Sequence, residues 1–252
     1  MKRIITFLLL FLAATFLTAQ TSCGTVKDYD GNTYTTVQIG KQCWMKQNLR
    51  TKHYANGESI PSGGSSTSSS SPYYYDYSNS GIPLEKRGYL YNWAAAMHGA
   101  SSSNTDPSHV QGICPNGWHL PSDAEWTHLT DYVSSQNEYV CEGNNDFIAK
   151  ALAATTGWSS ITPTSSSSIT RCYVGNNQTS NNATGFSAVP AGEHDISSFN
   201  GAGRGAKFWS ATQFSSYYAY ERYLGCMGAN VGRSSNSGKN KSYGCSVRCL
   251  RD

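Results

Sequence analysis

Residues 112–133 read GICPNGWHLPSDAEWTHLTDYV, and this stretch decides the fold class. Pro121 and Ser122 fix where a helix begins. Ser122 is a good N-cap, and Glu125 three residues on completes a capping box. Trp126, Leu129, Tyr132 and Val133 then recur at helical spacing and make one apolar stripe. The pattern predicts a helix over 123–135. Before it, Trp118-His119-Leu120-Pro121 reads as buried, with His119 a satisfied structural histidine rather than a ligand.

Upstream, Asp30-Gly31-Asn32 is turn chemistry. Tyr34, Thr35, Thr36, Val37 and Ile39 then predict a strand over 33–40, closed by Gly40. Cys43-Trp44-Met45 follows as a buried apolar cluster. Residues 89–97 (YLYNWAAAM) predict a short helix with Leu90, Trp93, Ala94 and Met97 on one face. A third helix is expected over 147–154, capped near Asp146 and stopped at Gly157. The last sixty residues predict short strands at 207–212, 218–224 and 246–250. The sixteen residues 228–243 between two of them lack a core pattern. A loop that long inside a compact domain is usually functional or disordered. Helices and short strands in this order predict one α+β domain over residues 20–252. The Ser-rich stretches 61–72 and 159–170 are insertions, because apolar clusters continue on both sides. Tyr73, Tyr74, Tyr75 and Tyr77 follow the first insertion, either as a binding surface or as half-buried rings packing its return.

Composition narrows the class. The chain has 36 Ser, 24 Gly, 17 Tyr and 6 Trp, with 14% charged residues. Few charges argue against a coiled coil or a mostly helical protein. The aromatics supply enough burial to argue against disorder. Lys2 and Arg3 precede an apolar run from Ile4 to Leu17, then Thr18 and Ala19, which is signal-peptide chemistry with cleavage expected after Ala19. The rival is a lipoprotein signal with Cys23 lipidated, to which Gln20, Thr21 and Ser22 are a poor approach. No later run approaches the ~20 residues of a membrane span. Without Lys2 and Arg3 the chain keeps 17 basic and 16 acidic residues, so nucleic-acid binding has no electrostatic support. Residues 193–252 nevertheless carry 8 basic and 4 acidic groups, a mild preference for an anionic partner.

Export makes disulfides the expected use of the eight cysteines. Eight allow 105 pairings, so connectivity stays open. Cys23 with Cys43 would clip the N-terminal segment, Cys141 with Cys172 would close the Ser/Thr-rich excursion, and Cys114 with Cys249 would close a loop of over a hundred residues. Cys226 and Cys245 would pair with each other or stay free. No histidine lies in an HExxH pair, and there is no GxSxG, EF-hand loop or zinc-finger spacing. Residues 201–205 lack the flanking strand and helix of a phosphate loop. No metal or cofactor is assigned.

Four motifs in this order resemble one family: residues 34–45 (YTTVQIGKQCWM), 88–93 (GYLYNW), 112–126 and 246–252 (SVRCLRD), with Gly185-Phe186-Ser187-Ala188 and Phe208-Trp209-Ser210-Ala211-Thr212 between them. They are similar to the Fibrobacter succinogenes major paralogous domain. The resemblance implies a C-type-lectin-like fold, shared with formylglycine-generating enzymes and with retroelement-diversified variable proteins. It implies an exported bacterial protein whose ligand site is carried by surface side chains of the last third. On this chain those are Glu193, His194, Asp195, Ser198, Asn200, Arg204, Lys207, Tyr220, Glu221, Tyr223, Met227, Asn230, Arg233, Asn236 and Lys239. Charge, Asn, Ser and Tyr in such a mixture suit a binding surface; plain solvated loops are the bland alternative. Adenine mutagenesis of Asn codons does not reach Glu, Lys or Met, so Glu221 and Met227 weaken retroelement diversification here. The expectation is a secreted or cell-surface, non-catalytic module binding an extracellular protein or glycan. A structural or adhesive protein without a pocket is the alternative. The copper oxidase reading would need Cys245 and Cys249 as ligands. On a straight strand four residues put them ~13 Å apart, at ~3.3 Å per residue.

Overall fold

The computed structural model describes residues 21–162, 167–196, 198–234 and 237–252. The expected signal peptide, part of the second Ser-rich insertion and Asn236 lie outside the described residues. Strands β1 (Thr25–Lys27), β2 (Thr33–Ile39), β3 (Gln42–Met45), β6 (Trp118–His119) and β13 (Leu250–Arg251) form an antiparallel sheet in the order β1-β2-β3-β13-β6. Its last strands bring the C-terminus against the N-terminal hairpin. Strands β4 (Tyr74–Tyr75) and β5 (Leu90–Tyr91) pair separately.

The second sheet runs β11 (Gly232–Arg233), β10 (Tyr218–Gly225), β9 (Gly205–Gln213), β7 (Ala191–His194), β8 (Phe199–Ala202), and β12 (Lys239–Asn240) also pairs with β10. All of its pairings are antiparallel except β7 with β9. Helices α1 (Leu84–Arg87), α2 (Trp93–Met97), α3 (Asp123–Ser134), α4 (Ala149–Leu152) and α5 (Ser168–Arg171) complete an α+β domain.

The helix α3 forms as its sequence dictates. Ser122 Oγ accepts from the Glu125 amide, and Glu125 accepts from the Ser122 amide. Trp126, Leu129 and Val133 are buried and Tyr132 is half-buried. Trp126 packs on Trp44 (centroids 4.6 Å apart) and on Phe208 (5.5 Å), tying the two sheets through one aromatic core. His119 sits in that frame as a structural residue. Its Nε2 meets Glu125 Oε1 at 2.7 Å and its Nδ1 meets Asp252 Oδ1 at 2.7 Å.

Three expectations need correction. The 89–97 segment begins as β5. Asn92 then caps a helix of only Trp93–Met97 by accepting from Ala95 N, and His98 ends it in the left-handed region at φ 49°. The third helix is the single turn Ala149–Leu152, with no side-chain cap and without Asp146. In the 246–250 segment only Leu250 belongs to a strand. Ser246 and Val247 bond instead to Lys207, Trp209 and Leu49, bridging the two halves of the molecule. The Ser-rich loop at 61–72 is anchored: Tyr75 Oη donates to Ser66 O, and Asn92 Nδ2 donates to Ser68 O and Ser71 O. Tyr75 is buried and Tyr73 and Tyr77 are half-buried, so the tyrosine run packs the return of the loop.

Disulfides join Cys23–Cys43, Cys114–Cys249 and Cys141–Cys172, the three pairs weighed from the sequence. Cys226 and Cys245 are free and buried. Among the described residues no helix is long and apolar enough to cross a membrane.

Candidate functional site

The register of β9 and β10 creates the site. Residues pair as Glu221↔Trp209, Arg222↔Phe208, Tyr223↔Lys207, Leu224↔Ala206 and Gly225↔Gly205. Side chains alternate between faces along a strand. Ala206, Phe208 and Leu224 therefore point into the core beneath α3. On that same side Arg222 is fixed by Asp123 at 2.7 Å and donates to Thr127 Oγ1 at 2.7 Å.

The opposite face changes character along its length. Trp209, Ala211 and Ala219 enter the other core cluster. Next comes a layer of buried ionisable groups. Glu193 Oε1 meets Lys207 Nζ at 2.5 Å, and Lys239 Nζ bonds the second Glu193 oxygen. Burial raises the Glu193 pKa, but the two lysines outweigh it and hold the carboxyl below its ordinary value. Glu221 is driven the other way, upward, chiefly by burial. The Cys245 thiol donates to Glu221 Oε2 at 3.6 Å, and burial pushes its pKa well above the ordinary thiol value.

Beyond that layer the face opens into a cleft of about 250 Å3. Gly205 and Gly225 lie opposite each other on its floor, with Lys207 and Tyr223 the next pair along. Asn200 on β8 and Arg204 in the β8–β9 turn complete the rim. Tyr223 is 40% exposed. Among the described residues the Arg204 guanidinium has neither an ion pair nor a hydrogen bond, and Arg204 is exposed.

Five residues expected at the site are thus brought together: Glu193, Asn200, Arg204, Lys207 and Tyr223. Others are not on a displayed surface, which corrects the sequence reading. Glu193 itself is 8% exposed and Glu221 5%. His194 is 1% exposed, stacked on Tyr75 at 4.0 Å between centroids. Lys239 turns inward onto Glu193. Each is a polar residue whose partner lies far away in sequence, so its polarity reads as exposure when only local sequence is considered. Asp195 organises the β7–β8 turn, with Oδ1 accepting from Ser198 N at 2.9 Å and Oδ2 from Asn200 Nδ2 at 2.8 Å. Tyr220 and Arg233 belong to the α3 side: the Arg233 guanidinium lies 4.2 Å from the Tyr220 ring centroid and pairs with Asp123 at 2.8 Å. Met227 is exposed away from the cleft lining.

A larger cavity of about 350 Å3 lies between α3, residues 145–148 and residues 229–231. Of the expected site residues only Asn230 reaches it. The smaller cleft is the better candidate because it gathers cation, aromatic ring and bare backbone in one place. Gly205 and Gly225 were missed from the sequence, although glycine inside a strand pattern is a signal of close approach. Also missed was an aromatic group at the tip of the β9–β10 hairpin, Phe214, Tyr217 and Tyr218, all exposed.

Among the described residues no group of three or more His, Cys, Asp or Glu is placed to hold a metal ion. Among curated proteins and solved structures, none matches the chain. The order of motifs along residues 37–251, from the β2–β3 hairpin to the C-terminal hook of β13, matches the model of one family, and the chain belongs to it: the Fibrobacter succinogenes major domain family.

Proposed function

We propose that this chain is an exported, non-catalytic binding module. It recognises an extracellular protein or glycan through the cleft end of the β9–β10 face. The observation that carries the reading is the Gly205–Gly225 pair. Glycine inside a strand costs about 0.5–1 kcal/mol relative to alanine, and neither of these glycines needs a positive φ. Nor does packing exclude a side chain. A Cβ at Gly205 meets nothing closer than 3.7 Å, and one at Gly225 nothing closer than 4.0 Å. What a side chain there would fill is the cleft. The three disulfides fit an oxidising compartment. The copper oxidase reading needs Cys249 as a thiol, whereas Cys249 is bonded to Cys114.

The adhesive alternative has one observation in its favour, the exposed aromatic hairpin tip. The two readings separate in one experiment. Labelled mature protein is applied to arrays of extracellular glycans and proteins, beside Gly225→Val and a Phe214→Ser/Tyr217→Ser double variant. Recognition through the cleft predicts that Gly225→Val loses binding at unchanged melting temperature. Binding that survives Gly225→Val and disappears with the hairpin variant rejects the cleft.

A further inference from the structure

We propose that the cleft binds a carboxylate-bearing sugar residue, with Arg204 as the carboxylate receptor and the Tyr223 ring as a stacking platform beside the Gly205–Gly225 backbone floor. This rests on the cleft being the recognition face.

Charge selects the sign of the ligand. Lys207 and Lys239 are both spent on Glu193, and Glu193 is spent on them. Arg204 is left as a cation without a partner among the described residues, at the rim of a concave site. A guanidinium is weakly hydrated and presents a planar fork that matches a carboxylate bidentately. One carboxylate against two ammoniums leaves the Glu193 cluster with a net charge of +1, and the unpaired Arg204 adds to it, so the cleft favours an anionic, planar acceptor.

Shape selects a ring. The Tyr223 side chain lies against Gly232 on the neighbouring strand, where an added Cβ would fall 2.1 Å from its Cζ. Glycine at 232 thus lets the tyrosine lie flat on β11, so the ring is positioned before any ligand arrives. Aromatic faces are electron-rich, and the C–H face of a sugar ring carries partial positive charge. The floor beside Tyr223 is peptide backbone without side chains, which a ring can approach closely. Asn200 supplies a hydroxyl partner. Its Nδ2 is committed to Asp195, but its Oδ1 accepts from no group among the described residues. The volume of about 250 Å3 falls below the ~300–1,000 Å3 of sites for drug-sized ligands, and suits one sugar with its linkages extending outward. A peptide carboxylate would engage Arg204 but would offer no flat ring to Tyr223 and the bare floor.

The test uses the mature chain and calorimetric titration with tri-galacturonate and sialyllactose. Controls are their methyl esters, lactose, and a short peptide with a free C-terminal carboxylate. The expected result is binding of at least one acidic sugar, with its ester about tenfold or more weaker. Arg204→Ala should weaken that sugar about 10- to 100-fold, the range of a lost charged hydrogen bond. Gly225→Ala should block the site while its melting temperature stays level or rises. The inference is overturned if acid and ester bind alike, if Arg204→Ala changes nothing, if the peptide binds more tightly than either sugar, or if neither acid binds at millimolar concentration. In each of those cases array binding that is still lost in Gly225→Val leaves the cleft as the recognition face. Array binding that persists in Gly225→Val removes both.

Discussion

Replacing Arg248 by methionine tests what holds the frame together. Arg248 is fully buried, and among the described residues no carboxylate faces it. Its Nε donates to Asn48 Oδ1 at 2.8 Å. One terminal nitrogen donates to the Met45 carbonyl at 3.3 Å and to the Phe186 carbonyl, and the other donates to the Ser187 carbonyl at 2.8 Å. The guanidinium also lies 4.6 Å from the Phe186 ring centroid and 5.5 Å from that of Phe208. The residue therefore stitches the C-terminal hook to β3 and to the 186–187 loop. Methionine preserves much of the volume but leaves four acceptors without this donor. An unsatisfied buried acceptor costs about 1–3 kcal/mol. Relief from burying a cation argues for the low end, so the expected loss is about 4 kcal/mol. For a chain of this size about 2–4 °C accompanies each kcal/mol, which gives a fall of roughly 8–16 °C, read by circular dichroism melting and checked by urea unfolding. Arg248→Lys should recover only part of it, because one ammonium cannot reach acceptors on both ends of a planar fork. A loss under about 1 kcal/mol in Arg248→Met would refute the reasoning, and full rescue by lysine would show that charge matters and the fork does not.

The pH dependence of stability should carry two signatures. For His119, burial lowers the pKa but the hydrogen bonds and charges of Glu125 and Asp252 outweigh it and raise it. Its contribution is fully present below the unfolded value near 6.5 and is lost as pH rises through the higher folded value. Asp252→Asn should start that loss at lower pH in a melting series, and an unchanged profile would remove Asp252 from the pair. For Glu193 the folded pKa is depressed, so its contribution is present above pH 4.5 and is lost as pH falls through the lower folded value. Breaking a buried pair costs about 3–5 kcal/mol. With Lys207 a quarter exposed, Glu193→Gln should cost about 3 kcal/mol or a little less at neutral pH, with the gap to wild type closing in acid; a gap independent of pH would mean that packing alone is lost. The Cys114–Cys249 disulfide closes a separation of 135 residues, and chain entropy assigns it about 5 kcal/mol. Replacing both by serine should therefore destabilise more than replacing Cys23 and Cys43, which close only 20, and the reverse order in urea unfolding would contradict that account.

What was legible in the sequence was what neighbouring residues encode. The capping box of Ser122 and Glu125 and the Trp126–Val133 stripe define α3 by themselves, and the β-branched run 33–39 defines β2. Two helices were over-extended because periodicity continued past the point where tertiary bonds took over. Asn92 spends its side chain on Ala95 and on the Ser-rich loop, so residues 89–91 are free to pair as a strand. The cleft was legible only in part. Arg204, Lys207 and Tyr223 look like surface residues and line it. Gly205 and Gly225 gain meaning only from their register, twenty residues apart. Glu193, His194 and Glu221 look like surface residues and are core, because their partners Lys239, Tyr75 and Cys245 are distant in the chain.

If the chain is the binding module proposed above, the placement of the charged layer lets one sheet serve both stability and display. Between the hydrophobic part of the β9–β10 face and the open cleft stand Glu193, Lys207 and Lys239, paired and largely withdrawn from water. Both lysines converge on the one Glu193 carboxylate beneath the cleft, and moving either would cost it its only ion pair among the described residues. A ligand arriving above them meets groups already in position and loses little free energy to ordering. Arg204, Asn200 and Tyr223 stand at the rim, and of these the Arg204 side chain makes no hydrogen bond or ion pair among the described residues, while its backbone bonds to Gly201 and Cys226. Substitution at Arg204 should therefore change recognition without changing the melting temperature. Substitution at Glu221 or Lys239 should change both. On the proposed binding role, the boundary between frame and display runs through a single pair of strands, so the rim could change without the frame being redesigned.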